Sequence, residues 1–227
     1  MIKPDTFSAY MLKAFDECPQ KYFYLYVKKI NLPFDKKLTQ LGDTIHKLAN
    51  FYLKNQDTSR MEKALNEQEN DFWTKFKNLE ILKKELLYSE YNFCIREGNF
   101  WLNGRIDAIF QDREKIIIAD WKTGEEIDIE NDYQSKIYLL AVWKIFNARG
   151  RLKNPQILEF HYIYLKNSRE QIIKFDESKL VLFKEIICAK MNKIDKLDLT
   201  EPNKAVDFSQ CYTCNFKSIC YNYRNSS

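Results

Sequence analysis

Glycine is scarce in this chain of 227 residues, with only five present, at positions 42, 98, 104, 124 and 150. No G-x-x-x-x-G-K-[ST] loop can be built from them, so the chain cannot be its own nucleotide-driven motor. No uninterrupted apolar run approaches the roughly 18 residues of a membrane-spanning helix. The first residues also lack the apolar stretch of a secretory signal. We therefore expect a cytoplasmic protein without a membrane partner.

Apolar residues make up 45% of the chain and aromatic residues 15%, which is enough to bury one substantial core. We expect a single domain over residues 1–227. It divides into a helical N-terminal part (1–80), a core that carries the chemistry (81–195) and a cysteine region formed by position 18 and residues 205–222. The net charge of +4 is too small to indicate a nucleic-acid partner by itself.

The period of the apolar residues changes along the chain. Helical spacing predicts helices at about 39–55, 60–77, 131–148 and 177–195. Alternating or continuous β-branched and aromatic segments predict strands at about 82–95, 99–111, 114–122, 156–166 and 169–175. Helices thus precede a group of strands, which is followed by a helix, two strands and a helix. This order predicts an α/β fold with a mixed central sheet flanked by helices.

Two acidic residues and a lysine stand out on neighbouring predicted strands. Asp120 and Lys122 end an apolar strand and project to the same side, because strand side chains alternate. If the strand before it pairs as a hairpin, Asp107 can converge with Asp120 on one hard cation, for which carboxylate oxygens suit Mg²⁺ or Mn²⁺. Phosphodiester hydrolysis is the chemistry that this set favours. A surface ion pair explains the D-x-K spacing equally well.

Three further polar side chains lie around this set. His46 falls on a predicted helix well before the strands, where a lone histidine is more often structural. Gln134 and Tyr138 lie four residues apart on one face of the helix that follows Lys122. A tyrosine in that position is by default a core aromatic.

Six cysteines in a chain expected to be cytoplasmic favour metal binding over disulfides. Cys211, Cys214 and Cys220 lie close together in sequence, and Cys18, beside a proline, is the candidate fourth ligand. Spacing alone leaves zinc and an iron–sulfur cluster both open, with redox catalysis by the C-x-x-C as a weaker third reading. The remaining two cysteines, 94 and 188, are expected to be buried thiols.

In chain order, the segments Gly42-x-x-x-His46, Gly104-Arg105-Ile106-Asp107, Asp120-Trp121-Lys122-Thr123-Gly124 and Gln134-x-x-x-Tyr138 resemble the RecB-like branch of the PD-(D/E)XK nuclease superfamily. The resemblance extends over residues 18 to 220. It implies a restriction-endonuclease-like core and a Mg²⁺- or Mn²⁺-dependent deoxyribonuclease.

The resemblance also assigns roles to the candidate residues. It implies that His46, Asp107 and Asp120 bind the catalytic ion and that Lys122 is catalytic. Gln134 and Tyr138 would support the site and contact DNA, and Glu85 falls where the family often has an acidic residue. In AddB-type and CRISPR adaptation nucleases, one cysteine precedes the catalytic motifs and three follow. The matching residues here imply a structural [4Fe-4S] cluster that joins the two ends of the chain; they are Cys18, Cys211, Cys214 and Cys220.

Relatives of this kind act on DNA ends, frequently single-stranded, beside a helicase or an integrase. The resemblance therefore implies an exonuclease of DNA repair, recombination or CRISPR spacer acquisition. Tyr22 can stack on bases or pack in the core, and Lys21, Lys28 and Lys29 can follow the DNA backbone. Two alternatives are a DNA-end-binding or assembly subunit that retains a nuclease fold, and a zinc-binding interaction protein.

Overall fold

The computed structural model describes residues 4–30, 32, 37–197 and 208–220. Of the predicted cysteine region, residues 205–207 and 221–222 lie outside the described residues. The α-helices are α1 (Ala9–Glu17), α2 (Pro19–Tyr22), α3 (Lys37–Leu53), α4 (Ser59–Glu62), α5 (Glu67–Lys77), α6 (Tyr133–Ala148) and α7 (Glu177–Asp195). The strands are β1 (Thr6–Phe7), β2 (Glu85–Glu97), β3 (Phe100–Asp112), β4 (Lys115–Lys122), β5 (Leu158–Tyr164) and β6 (Arg169–Lys174). A π-helical turn covers Phe23–Val27, and 3-10 turns cover Glu80–Lys83, Pro155–Ile157 and Phe208–Cys211.

All six strands belong to one mixed sheet. β2 pairs antiparallel with β3 along nearly its whole length, so β1 and β4 must share the other edge of β3. β1 pairs parallel with residues 101–102, and β4 pairs antiparallel with residues 108–112. β5 then lies parallel to β4, and β6 lies antiparallel to β5. The sheet is the mixed α/β arrangement of restriction-endonuclease-like proteins.

Strand β4 is the centre of the sheet and is apolar on both faces, as expected where helices cover each side. On one face, Ile118 packs in a core with residues of α6 and α7. On the other face, Ile117 and Trp121 pack in a second core with residues of α3 and α5. The rings of Trp73 and Phe76, on α5, stack at 5.1 Å in this second core. The two cores fix the end of β4 in place, where Asp120 and Lys122 emerge.

The N-terminal part differs from its sequence prediction in two respects. The predicted helix at 60–77 is broken, because Asn66 and Glu69 form a capping box that starts α5. The nominally helical first 80 residues also contribute β1 to the sheet. Ser8 caps α1 and accepts a hydrogen bond from the backbone of Met11. No helix in the described ranges combines the length and the apolar content needed to cross a bilayer.

Candidate active site and cysteine cavity

A gap in the sheet creates the candidate active site. Residues 103–107 of β3 lie between the segment that pairs with β1 and the segment that pairs with β4. This stretch of the edge of β3 therefore pairs with neither β1 nor β4, and we call it the fork. The amide that would continue the β3–β4 pairing instead turns to a side chain, because the Trp121 N–H donates to Asp107 Oδ2 at 3.1 Å. The hairpin predicted from the sequence thus brings Asp107 beside the end of β4.

Asp120 and Lys122 emerge together at the fork. Lys122 Nζ lies 2.7 Å from Asp120 Oδ2 and donates to Gln134 Oε1 at 2.9 Å. Gln134 Nε2 in turn donates to Asp120 Oδ1 at 2.5 Å. The Tyr162 ring, 5.1 Å from Lys122 Nζ, completes the pocket of the ammonium group. This closed network holds the carboxylate and the ammonium in one orientation, so the pair is not the surface ion pair that the spacing alone allows.

Helix α6 supports the fork through a second side chain. The Tyr138 hydroxyl donates to the carbonyl oxygen of Arg105 at 2.7 Å, on the stretch of β3 that pairs with neither β1 nor β4. The tyrosine can lie so close only because residue 104 is glycine. A Cβ at Gly104 would come within 2.8 Å of Tyr138 Cε1 and within 2.6 Å of Phe93 Cζ. The glycine of this motif is therefore explained by packing against α6 and β2.

His46 reaches the site from helix α3, with its Nδ1 3.2 Å from Asp107 Oδ1. A residue outside the sequence prediction joins them. One ligand atom each from His46, Glu90 and Asp107 lie within 4.8 Å of one another, which is the spacing of a metal-ligand group. Glu90, rather than the predicted Glu85, is therefore the acidic residue of β2 at the site. Glu85 is exposed at the start of the strand, opposite Gln111.

The backbone of Glu90 has an uncommon conformation, with a φ of 51°. A residue other than glycine in this region costs of order 1–3 kcal/mol and persists where the surroundings demand it. A register shift between Leu86 and Tyr88 precedes it on the same strand. No pattern in the sequence indicates that bulge, and without it the register between β2 and β3 cannot be derived. Glu90 was missed for this reason.

Burial and mutual charge shift the pKa values of the site. Burial and the charge of Asp107 raise the pKa of Asp120 to about 6, although Lys122 opposes the shift. Burial also raises the pKa of Glu90. Burial lowers the pKa of His46, but its hydrogen bond to Asp107 and the nearby negative charges outweigh burial and raise it. Carboxylates crowd together at this site, and a bound cation would relieve their mutual repulsion.

The site lies in a cleft of about 860 Å³. Besides the residues already described, bases and amides line it: Lys47, Asn50, Asn92, Asn103 and Arg105. Tyr10, on α1, lies at its mouth with 68% of the residue exposed. Cys94 also lines the cleft and is exposed, so the prediction that it is buried is wrong. Cys188, also predicted to be buried, is half-buried on α7.

A second cavity, of about 440 Å³, is lined by all four of the predicted ligand cysteines, namely Cys18, Cys211, Cys214 and Cys220. Burial raises the pKa of the Cys18 thiol, and backbone N–H groups of Gln20 and Lys21 oppose the shift by hydrogen bonding to it. The C-terminal segment is held near the start of the chain by Tyr24 and Phe216, whose rings lie 5.3 Å apart. The structure thus brings one end of the described chain against the other.

None of the four residues predicted to bind DNA lines the active-site cleft; they are Lys21, Tyr22, Lys28 and Lys29. Tyr22 is fully buried and packs edge-on against Phe15, so its ring has no face for a base, and that prediction is corrected here. Lys21 lines the cysteine cavity and pairs with Glu17 at 2.7 Å. The ammonium group of Lys28 lies over the Phe23 ring. Tyr22 and Phe23 thus pack in the core, and residues 24–27 are half-buried.

The mixed sheet, its fork and the two aspartates with a lysine define a restriction-endonuclease-like nuclease fold. The chain belongs to the PD-(D/E)XK nuclease superfamily, whose family model matches residues 6–221.

Thirty-six solved chains are significantly similar to the structure. One is a presumed exonuclease from Eubacterium rectale, at 9% sequence identity and a TM-score of 0.58, covering 98% of this chain and 88% of that one. Another is the protein SSO0001, at 16% identity and a TM-score of 0.45, covering 97% and 88%. No curated protein matches the sequence significantly. At these identities the likeness shows the fold alone.

Proposed function

We propose that the protein is a Mg²⁺- or Mn²⁺-dependent deoxyribonuclease whose catalytic ion is held by His46, Glu90, Asp107 and Asp120. The observation that carries the proposal is the fork of the sheet, where these oxygen and imidazole donors converge beside the half-buried Lys122. Hard divalent cations prefer carboxylate oxygens, and imidazole is compatible with Mn²⁺. The donor set fits such an ion, since three of the donors already lie within 4.8 Å of one another.

Bound in this cleft, a hard divalent ion supplies Lewis-acid stabilisation of a phosphate and makes water a better nucleophile at neutral pH. The chain's own contribution centres on Lys122. Its ammonium group, fixed between Asp120 and Gln134, orients the attacking water and stabilises the negative charge that develops on the phosphate. Tyr138 keeps β3 in place through the carbonyl of Arg105. Gln134 and Tyr138 thus support the catalytic residues and face the DNA path.

We further propose that the substrate is a DNA end, preferentially single-stranded. An exonuclease role is consistent with the presumed exonuclease of the same fold from Eubacterium rectale. Of the large exposed apolar side chains in the described ranges, Tyr10 is the one that lines the cleft, and its ring can stack on an unpaired base. Lys47 and Arg105 can meet the phosphates, with Lys21, Lys28 and Lys29 further along the strand. Repair, recombination or CRISPR spacer acquisition, beside a helicase or an integrase, are the settings for such an activity.

We propose a [4Fe-4S] cluster as the occupant of the cysteine cavity. A tetrahedral zinc site with Zn–S bonds of about 2.3 Å holds its sulfurs about 3.8 Å apart. Among the described residues, the cysteine sulfurs form no group of three within 4.8 Å. All four cysteines line one cavity of about 440 Å³, and they are the set that the family resemblance assigns to an iron–sulfur cluster. Purified protein should be brown, absorbing near about 400 nm. A colourless protein with one zinc would refute the cluster and leave the nuclease proposal intact.

The decisive experiment is a cleavage assay on anaerobically purified protein. End-labelled single-stranded DNA and Mn²⁺ are incubated with the parent protein, Asp107→Ala, Asp120→Ala and the control Glu125→Ala, which removes an exposed acid just after β4. We expect cleavage by the parent and the control only. Circular single-stranded DNA tests the requirement for an end. Equal cleavage by all four proteins would place the activity elsewhere. No cleavage of any linear, circular, single- or double-stranded DNA would favour the DNA-end-binding subunit.

A further inference from the structure

Arg105 and Glu90 form an ion pair inside the active-site cleft. Arg105 Nε lies 2.7 Å from Glu90 Oε2, on the strand opposite. The two side chains differ in exposure, at 60% for arginine and 17% for glutamate. The carboxylate is therefore held in the site, while most of the guanidinium group faces the cleft. A guanidinium group in a fork geometry is well suited to bind a phosphate.

The backbone beneath Arg105 is fixed on both sides. The residue pairs with Asn92 across β2 and β3, and its carbonyl accepts the Tyr138 hydroxyl. Movement at this position is therefore confined to the arginine side chain. Glu90, in contrast, is held in its uncommon backbone conformation with its carboxylate near His46 and Asp107. The same carboxylate thus has two competing cationic partners, the arginine and the catalytic ion.

We propose that Arg105 is a positioning residue that couples substrate binding to metal binding, exchanging Glu90 for a substrate phosphate. Without substrate, the guanidinium group pairs with the Glu90 carboxylate and lowers the affinity of the site for a divalent ion. When a phosphate of the strand binds Arg105, the Glu90 carboxylate is released toward His46 and Asp107. Metal and nucleic acid then bind with positive cooperativity, and the coupling is reciprocal. This inference rests on the proposed nuclease function.

The test measures Mn²⁺ binding and does not depend on cleavage. Free Mn²⁺ is followed by electron paramagnetic resonance in titrations of Lys122→Met protein, chosen to leave the oligonucleotide intact, with and without a single-stranded oligothymidylate. We expect the oligonucleotide to lower the Kd for Mn²⁺ by about fivefold or more, the lower end of typical allosteric couplings. In the same background, Arg105→Gln should bind Mn²⁺ more tightly than its parent when no oligonucleotide is present, and gain little when it is added.

Two further variants separate this coupling from general electrostatics. Glu90→Gln removes the shared carboxylate and should bind Mn²⁺ weakly with or without the oligonucleotide. Lys54→Gln removes a positive charge that also acts on Glu90 but lies outside the cleft, and it should keep the coupling. Equal tightening by the oligonucleotide in Arg105→Gln and its parent would overturn the inference while leaving the metal site standing. The protein with wild-type Lys122 is titrated as well. If neither it nor any of the variants binds Mn²⁺, both the inference and the proposed function are overturned.

Discussion

The active-site cleft and the cysteine cavity are assembled in different ways. The cleft lies in a fork of the central sheet, and hydrogen bonds between side chains fix Asp120, Lys122 and Gln134. The cysteine cavity is bounded by the short helix α2 and by a C-terminal segment made of turns. The geometry of the cleft therefore depends on regular secondary structure, whereas the cysteine cavity is bounded largely by turns.

Helix α1 connects the two regions. Tyr10, near its start, lines the cleft, and Cys18, at its C-cap, lines the cysteine cavity. Eight residues of helix separate them by about 12 Å. A disturbance of the cysteine cavity can therefore reach the mouth of the cleft through one rigid element, while the proposed metal ligands are held by the sheet and by α3. We therefore expect substitutions in the cysteine cavity to lower stability and substitutions in the cleft to lower the cleavage rate.

The largest expected effect is the loss of the cluster proposed for the cysteine cavity. Cys214→Ser should lower the free energy of unfolding by up to about 5 kcal/mol, because the cluster closes a loop of most of the chain. Urea denaturation followed by circular dichroism measures the loss. Cys188→Ser, on α7 and outside the cavity, is the control and should cost much less. Equal losses in the two variants would show that the cavity holds no cross-link.

Replacement of Lys122, the proposed catalytic lysine, should reduce cleavage and leave the stability unchanged. Lys122→Met should reduce the cleavage rate by about 10²–10³-fold, the typical cost of removing one group that stabilises transition-state charge. The circular dichroism spectrum and the absorbance of the cluster should not change. Lys166→Met, which removes an exposed lysine paired with Glu125, is the control. If Lys122→Met unfolds, the fold itself depends on the Lys122 side chain, and the loss of cleavage would say nothing about catalysis.

The pH dependence of metal binding tests the crowding of the acids. Because the pKa of Asp120 is raised to about 6, this carboxyl keeps its proton up to about pH 6 in the folded metal-free protein. In the unfolded chain it loses the proton near pH 3.9. The resulting stabilisation is complete below that pH and is lost as the pH rises through about 6. A cation must displace this proton, so its affinity should fall about tenfold per pH unit below about 6. Mn²⁺ should therefore raise the melting temperature strongly at pH 7.5 and weakly at pH 5. Asp120→Asn should flatten the difference.

The sequence predicted the fold class and the ends of most strands, because the apolar period reports the faces of the sheet directly. The convergence of Asp107 and Asp120 followed from a hairpin with a short turn. The place of Glu90 at the site could not be predicted, because a bulge in β2 changes the register and no residue type in the sequence indicates that bulge. Tyr10 could not be distinguished from a core aromatic, because exposure at the start of α1 depends on how the helix packs. Tyr22, in contrast, was buried by that same packing.

The smallest effect is expected at Tyr10. Tyr10→Leu keeps an apolar side chain but removes the ring, and it should raise KM for single-stranded DNA about tenfold, within the roughly 1–3 kcal/mol of one stacked base. Tyr10→Phe should retain the parent KM, and kcat should change little in either variant because the proposed metal ligands lie in the sheet and on α3, not on α1. Steady-state cleavage of a labelled oligonucleotide measures both constants. The same assay on Cys214→Ser connects the two regions. If α1 transmits the loss of the cluster, that variant should reproduce the rise in KM; a fall in kcat alone would show that the disturbance reaches the fork by another route.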